Sequence, residues 1–246
     1  MKYPSELKKG ANARLITAYD AFFAALVVEA GLDGILVGDS LGNMVQGHTS
    51  TLPVTVDDII YHTRMVVRGA PQCLVIADMP FMSVEVNTDD ALRAAGRLVK
   101  EGGATAVKVE THFRVIPAMA AMIESGIPVI GHVGLTPQWV NMLGGYRQQG
   151  RGMAAKGIHQ LVDELVAIGV SGIVLEHVPA ALGTEITRRI PVPTIGVGAG
   201  PDCDAQLAVL HDVLGLTAKL PSFMSPIGDG RKGAIEALHR YKSVVS

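Results

Sequence analysis

The stretch Gly34-Ile35-Leu36-Val37-Gly38-Asp39-Ser40-Leu41-Gly42-Asn43-Met44-Val45-Gln46-Gly47-His48-Thr49-Ser50-Thr51-Leu52-Pro53 decides how the chain folds. Its opening run, Ile35-Leu36-Val37, is aliphatic with no polar alternate, so it reads as a strand covered on both faces. The run ends in a carboxylate, Asp39, and a hydroxyl, Ser40. Beyond them come glycines, Asn43, further hydroxyls and a closing proline, a composition that supplies hydrogen-bonding groups and little core. A buried strand that hands an acid to a polar loop is how a parallel α/β fold builds a site.

The same unit recurs along the chain. Glu29-Ala30-Gly31-Leu32-Asp33-Gly34 leads into this strand, Lys100-Glu101-Gly102-Gly103 into Ala106-Val107-Lys108-Val109, and Glu124-Ser125-Gly126-Ile127-Pro128 into Val129-Ile130. Ala167-Ile168-Gly169-Val170 leads into Ile173-Val174-Leu175 in the same way. Each of these glycines falls where a helix ends and positive φ is wanted. Apolar stripes at helical spacing precede or follow: Leu92, Ala95, Leu98 and Val99; Ile158, Leu161, Val162 and Leu165; Leu207, Leu210, Val213 and Leu214.

Strands are expected over residues 14–18, 34–38, 74–77, 106–109, 128–131, 172–175 and 193–197, with a poorly marked eighth at 216–220. A long helix is expected in the gap after the second strand, and the last helix over 231–246. Strands separated throughout by helices predict a (β/α)₈ barrel of the TIM type, one domain over residues 1–246; an open doubly wound sheet is the alternative, decided at the eighth strand. Two connections, 42–53 and 135–152, are long and polar enough to act as lids.

Composition narrows the function classes. At 246 residues and 48% hydrophobic content the chain can bury one sizeable core. A net charge of −2 with scattered lysines and arginines offers no basic face for nucleic acid. Cys73 and Cys203 lie far apart without zinc-type spacing and read as two buried thiols. No apolar run reaches membrane-spanning length and the amino terminus goes straight into charged residues, so a cytoplasmic protein with no membrane or nucleic-acid partner is expected.

In a barrel the chemistry sits at the C-terminal ends of the strands. Those ends carry Asp39 and Ser40, Asp78, Lys108 and Glu110, His132, and Glu176. Any one of the acids alone reads more readily as a helix cap or a solvated loop residue, and His132 alone as a structural histidine; five successive strands delivering ionisable groups to one rim is the signal. Asp39 and Asp78 form the natural metal pair, and oxygen donors without cysteine suit Mg²⁺ over Mn²⁺, with Glu110 assisting through water. Lys108 and Glu110, two apart, face the same way; the lysine either holds a substrate carboxylate or enolate oxygen, or closes a structural ion pair. Glu176, after Ile173-Val174-Leu175, is expected to be desolvated and so to suit a general base. Gly196-Val197-Gly198-Ala199-Gly200 reads either as a phosphate cradle or as a turn that lets the chain pass closely over the mouth.

A resemblance gathers these residues. Val37-Gly38-Asp39-Ser40-Leu41-Gly42, the run from Val45 to Thr55 and Tyr61-His62-Thr63 resemble the signature of the ketopantoate hydroxymethyltransferase (3-methyl-2-oxobutanoate hydroxymethyltransferase) family. Ala77-Asp78-Met79-Pro80-Phe81-Met82, the run from Gly131 to Gln138, Gly144-Gly145-Tyr146, Gln149-Gly150-Arg151-Gly152, Leu175-Glu176, Val178-Pro179 and the glycine run at 196–200 are similar to its later motifs, in order. The resemblance covers about residues 14–220 and implies a Mg²⁺-dependent enzyme of pantothenate and coenzyme A synthesis. Such an enzyme moves a one-carbon unit from 5,10-methylenetetrahydrofolate to the α-ketoacid α-ketoisovalerate, giving ketopantoate. It further implies Asp39 and Asp78 as metal ligands with Glu110 close by, and Ser40, Lys108 and His132 around the ketoacid. Glu176 is the implied base, and His132 either an oxyanion stabiliser or a proton shuttle. The family also implies self-association into a homodecamer. Thr111-His112, His177 and Ala205 depart from the family pattern.

Two rival readings stand beside it. One is a lyase of the phosphoenolpyruvate mutase and isocitrate lyase group, whose isocitrate lyases carry a Lys-Lys-Cys-Gly-His loop absent here. The other is a ketoacid sensor without turnover, which would have no need of Glu176.

Overall fold

A computed structural model describes residues 1–224 and 227–245. Eight parallel strands close on themselves in sequence order. They are β1 (Ala13–Thr17), β2 (Gly34–Val37), β3 (Leu74–Asp78), β4 (Ala106–Glu110), β5 (Val129–Gly134), β6 (Gly172–Glu176), β7 (Thr194–Val197) and β8 (Ala205–Ala208). The helices are α1 (Ala21–Glu29), α2 (Leu41–Met44), α3 (Val56–Gly69), α4 (Thr88–Arg97), α5 (Ile116–Glu124), α6 (Val140–Leu143), α7 (Ala155–Ile168), α8 (Ala180–Arg189), α9 (Leu210–Val213) and α10 (Gly230–Val244). The architecture is the expected (β/α)₈ barrel. The boundaries of the first seven strands agree with expectation to within a residue except at β5, which runs on to Gly134.

The eighth strand is a correction. Residues 216–220 form no strand; β8 lies at Ala205–Ala208, inside the segment whose Leu207, Leu210, Val213 and Leu214 suggested a helix. Ala-Gln-Leu-Ala lacks the β-branched residues that favour strands, so local preference points the wrong way. Pairing overrides it: Ala13 to Ile16 of β1 align with Ala205 to Ala208, while Ile195 and Gly196 of β7 align with Ala205 and Gln206. Only the short α9 remains of the expected helix, and α10 ends at Val244; Ser246, the expected last residue of that helix, lies outside the described residues.

Local chemistry accounts for the helix ends. The Thr55 hydroxyl accepts from the Asp58 amide while the Asp58 carboxylate takes the Thr55 amide, a reciprocal cap that starts α3. Gly169 closes α7 at φ +84°, a conformation open to glycine at no steric cost. Ile158, Val162 and Leu165 of α7 are buried, as their spacing predicts.

Two apolar regions result from the alternation of side chains along each strand. The larger lies between sheet and helices and takes in Ile35, Val37, Val75, Val107, Val109, Ile173 and Leu175. The smaller fills the barrel with Leu15, Leu36, Leu74, Ile76, Ala106, Ile130, Val174 and Ile195 and is closed by Leu7 from the amino-terminal segment. Two residues further along the same inward rows come Asp78 after Ile76, Lys108 and Glu110 after Ala106, His132 after Ile130, and Glu176 after Val174. Cys73 and Cys203 are free and buried. Among the described residues no helix is long and apolar enough to cross a membrane.

Candidate active site

Register brings the strand ends together: Asp78 aligns with Lys108, Glu110 with His132, and Gly134 with Glu176. Asp39, Asp78, Lys108, Glu110 and His132 are all buried, at 5%, 2%, 5%, 3% and 1% exposure. So many buried ionisable groups are tolerated only where they satisfy one another. Lys108 Nζ lies 2.6 Å from Asp78 Oδ1 and 3.3 Å from His132 Nδ1. His132 Nε2 lies 3.4 Å from Glu176 Oε2, and its Nδ1 4.0 Å from Glu110 Oε1. The backbone amide of Asp39 donates to Asp78 Oδ2 at 2.9 Å. All the expected side chains except Ser40 therefore fall in one contiguous cluster, and Ser40 borders it through Asp39, with its Oγ 2.8 Å from the Tyr19 hydroxyl.

Electrostatics follow from that crowding. Burial, together with the neighbouring Asp78 charge, pushes Asp39 up to about 7. Burial and the Asp39 charge likewise raise Glu110 well above the usual carboxylate range. Burial opposes the Lys108 ammonium, but Asp78, Asp39 and Glu110 outweigh it and hold the lysine charged. Burial and the Lys108 charge lower His132, which keeps its ring neutral. Glu176, expected to be desolvated, instead keeps its side chain 18% exposed at the open end of its row.

Gln138, uncharged, carries no sign of its place in this cluster in a reading based on ionisable groups. It sits in a 3₁₀ turn, Pro137–Trp139, inside the 135–152 connection. Its Nε2 donates to Asp39 Oδ2 at 2.8 Å and to the Met79 carbonyl at 3.0 Å, and its backbone amide reaches Glu110 Oε2 at 3.1 Å. Only its place at the end of the Gly131 to Gln138 motif marked it in the sequence.

The departures have structural uses. The Thr111 hydroxyl accepts from the His132 amide and donates to the Val109 carbonyl, pinning the end of β4 to β5. His112 packs edge-on to Trp139, centroids 4.8 Å apart. His177 takes φ +44° and packs its ring 4.9 Å from that of Phe223. Ala205 is a fully buried barrel residue. In the glycine run, a Cβ on Gly198 would come within 2.5 Å of the Phe223 ring, which favours close chain passage as the use of that turn.

The family model for ketopantoate hydroxymethyltransferase matches residues 4–246. The chain belongs to this family. A 3-methyl-2-oxobutanoate hydroxymethyltransferase of Moorella thermoacetica is 48% identical over 97% of this chain and 89% of the relative. One of Thermobifida fusca is 50% identical over 88% and 78%. Among solved structures the chain is similar in fold to a 2,3-dimethylmalate lyase of the PEP mutase/isocitrate lyase superfamily (TM-score 0.64, 13% identity, 100% of both chains). A phosphonopyruvate hydrolase gives TM-score 0.64 at 14% identity over 100% of this chain and 87% of the other. At those identities the likeness speaks for the barrel alone, so this ketopantoate hydroxymethyltransferase family member shares its scaffold with the rival lyase group.

Proposed function

We propose that the protein transfers a hydroxymethyl group from 5,10-methylenetetrahydrofolate to 3-methyl-2-oxobutanoate, giving ketopantoate for pantothenate and coenzyme A synthesis. Family membership supports the overall reaction. The observation that carries the mechanism is the unbroken run of contacts from Asp39 through Asp78, Lys108 and His132 to Glu176 around one mouth.

The donor set fits Mg²⁺. Three buried carboxylates, Asp39, Asp78 and Glu110, face a single lysine, and Asp39 and Glu110 are pushed toward protonation by burial and by the charge of neighbouring carboxylates. Asp78 Oδ1 is buried and meets the Lys108 ammonium at 2.6 Å, while Oδ2 takes the Asp39 amide. Among the described residues no group of three or more His, Cys, Asp or Glu side chains gathers as a metal cluster; Mg²⁺ commonly takes only one or two carboxylates and completes its shell with water and substrate oxygens. Asp39 and Asp78 would hold it, with Glu110 assisting through water. When bound there, Mg²⁺ supplies Lewis acidity toward the keto and carboxylate oxygens of the ketoacid.

The remaining work falls to the chain itself. Ser40, Lys108 and His132 bind the ketoacid, the lysine placing a fixed positive charge beside the oxygen that gains negative charge. Glu176 removes the C3 proton as general base, oriented by its contact with His132. The resulting C3 nucleophile attacks the one-carbon unit of the folate, and water supplies the hydroxyl of the product as tetrahydrofolate leaves. The 42–53 and 135–152 connections exclude bulk water while the C3 nucleophile awaits the one-carbon unit, and the water that supplies the hydroxyl enters after the new C–C bond has formed. Self-association into a homodecamer belongs to the same reading, supported by exposed Ile235, Leu238, Tyr241 and Val244 on α10, an apolar surface that assembly would cover.

The decisive experiment omits the folate. With Mg²⁺ present, the protein is expected to exchange the C3 hydrogen of 3-methyl-2-oxobutanoate for deuterium, and Glu176→Gln to stop that exchange. Ketoacid binding with no exchange would replace this reading with the sensor.

A further inference from the structure

Gln138 is the point where the 135–152 connection meets the carboxylates. It is only 4% exposed, and ordering a glutamine side chain costs roughly 2 kcal/mol of rotamer entropy. Both hydrogens of its amide are engaged, one on Asp39 Oδ2 and one on the Met79 carbonyl. Its backbone amide is shared between the two oxygens of Glu110, at 3.1 and 3.3 Å. A turn that required only an anchor has the Met79 carbonyl for that purpose. The two carboxylate contacts go further: they tie a turn after β5 to the acids that follow β2 and end β4.

A carboxylate held by one directed hydrogen bond cannot rotate freely, and partners one step behind a metal ligand fix its orientation in this way. The connection that supplies the hydrogen bond continues through α6 to Arg147 and Arg151, both exposed. Displacing Asp39 therefore displaces the turn, and displacing the turn releases Asp39.

We infer that Gln138 is a positioning residue which sets the Asp39 carboxylate for a divalent cation and links occupancy of that site to the order of the 135–152 connection. The inference rests on the reading of Asp39 and Asp78 as the Mg²⁺ ligands. It concerns a side chain that touches neither the metal nor the ketoacid.

The test uses the full chain, Mg²⁺ alone, titration calorimetry and limited trypsin digestion. In the parent protein Mg²⁺ is expected to bind and to slow cleavage after Arg147 and Arg151. In Gln138→Met, which keeps the length and removes the donors, the Kd for Mg²⁺ is expected to rise about 10- to 100-fold. At Mg²⁺ concentrations that saturate the variant, cleavage should no longer slow. A purely structural role would raise cleavage by the same factor with and without Mg²⁺ and leave the Kd unchanged, and that result overturns the inference alone. Absence of Mg²⁺ binding in the parent removes the metal reading and this inference with it. Should circular dichroism find Gln138→Met unfolded, Gln138→Asn retains the amide one carbon short of Asp39 and is expected to behave as the Met variant does.

Discussion

Lys108 Nζ meets His132 Nδ1 nitrogen to nitrogen, 3.3 Å apart. An ammonium can only donate, so Nδ1 must be the accepting nitrogen of a neutral ring, and the ring hydrogen resides on Nε2. Nε2 itself lies 3.4 Å from Glu176 Oε2. The lysine thus selects the tautomer that steadies the proposed base.

Removing the imidazole takes away that support without touching the carboxylates. His132→Ala is expected to slow C3 exchange in 3-methyl-2-oxobutanoate by about 100-fold, the range of a positioned acid–base group. Proton NMR of the substrate in deuterium oxide reads the rate, and a loss under threefold would dismiss the relay.

Among the described residues Lys108 is the one cation set among the buried acids Asp39, Asp78 and Glu110. Lys108→Met is expected to cost about 3 kcal/mol in metal-free protein, because it leaves buried charge unpaired. Urea denaturation with and without Mg²⁺ checks this, and the cation should restore more stability to the variant than to the parent. Equal responses would mean that the acids do not form one electrostatic unit with the metal.

Gly134 shows how tightly β5 and β6 are set. At φ +101°, an added Cβ would lie 2.2 Å from the Glu176 carbonyl oxygen and 2.8 Å from Val178 Cγ1. Gly134→Ala is therefore expected to lose about 3 kcal/mol of stability through strain and overpacking. It should also slow exchange by shifting the strand end that carries Glu176; thermal denaturation and the exchange assay read the two effects separately.

At the opposite end of the barrel, burial works against the Asp204 carboxylate, but hydrogen bonds from Lys9, Thr194 and Gly10 hold it below the usual carboxylate range. A depressed folded-state pKa gives stability that is complete above the unfolded value near pH 4 and lost as pH falls through the folded one. Asp204→Asn is expected to cost about 2 kcal/mol at pH 7. Its deficit relative to the parent should shrink as the pH drops below about 4, as measured by urea unfolding at pH 7 and pH 3.

Much of this could be read from residue order because two local rules operate nearly everywhere. Glycines such as Gly103 and Gly169 end helices at positive φ, and inward rows such as Ile76 then Asp78, or Ile130 then His132, put acids and imidazole two residues above the filling. β8 is not legible because Ala205–Ala208 has no strand preference of its own and becomes a strand through pairing with β7 and with the distant β1. Gln138 escaped because an uncharged amide in a loop has no titrating signature, and its significance lies in contacts with Asp39 and Glu110 that no spacing rule encodes. The position of Glu176 is legible in the sequence but its exposure is not: the apolar run before it describes the outer half of the strand, not the mouth into which the side chain opens.

Leu7, capping the inner filling of Leu15, Leu74, Ile76 and Ile130, closes the floor of the barrel. The acids above it can then be approached from one direction only. On the proposed reaction, metal, ketoacid and one-carbon carrier would share a common doorway, and the last to arrive would be the first to leave.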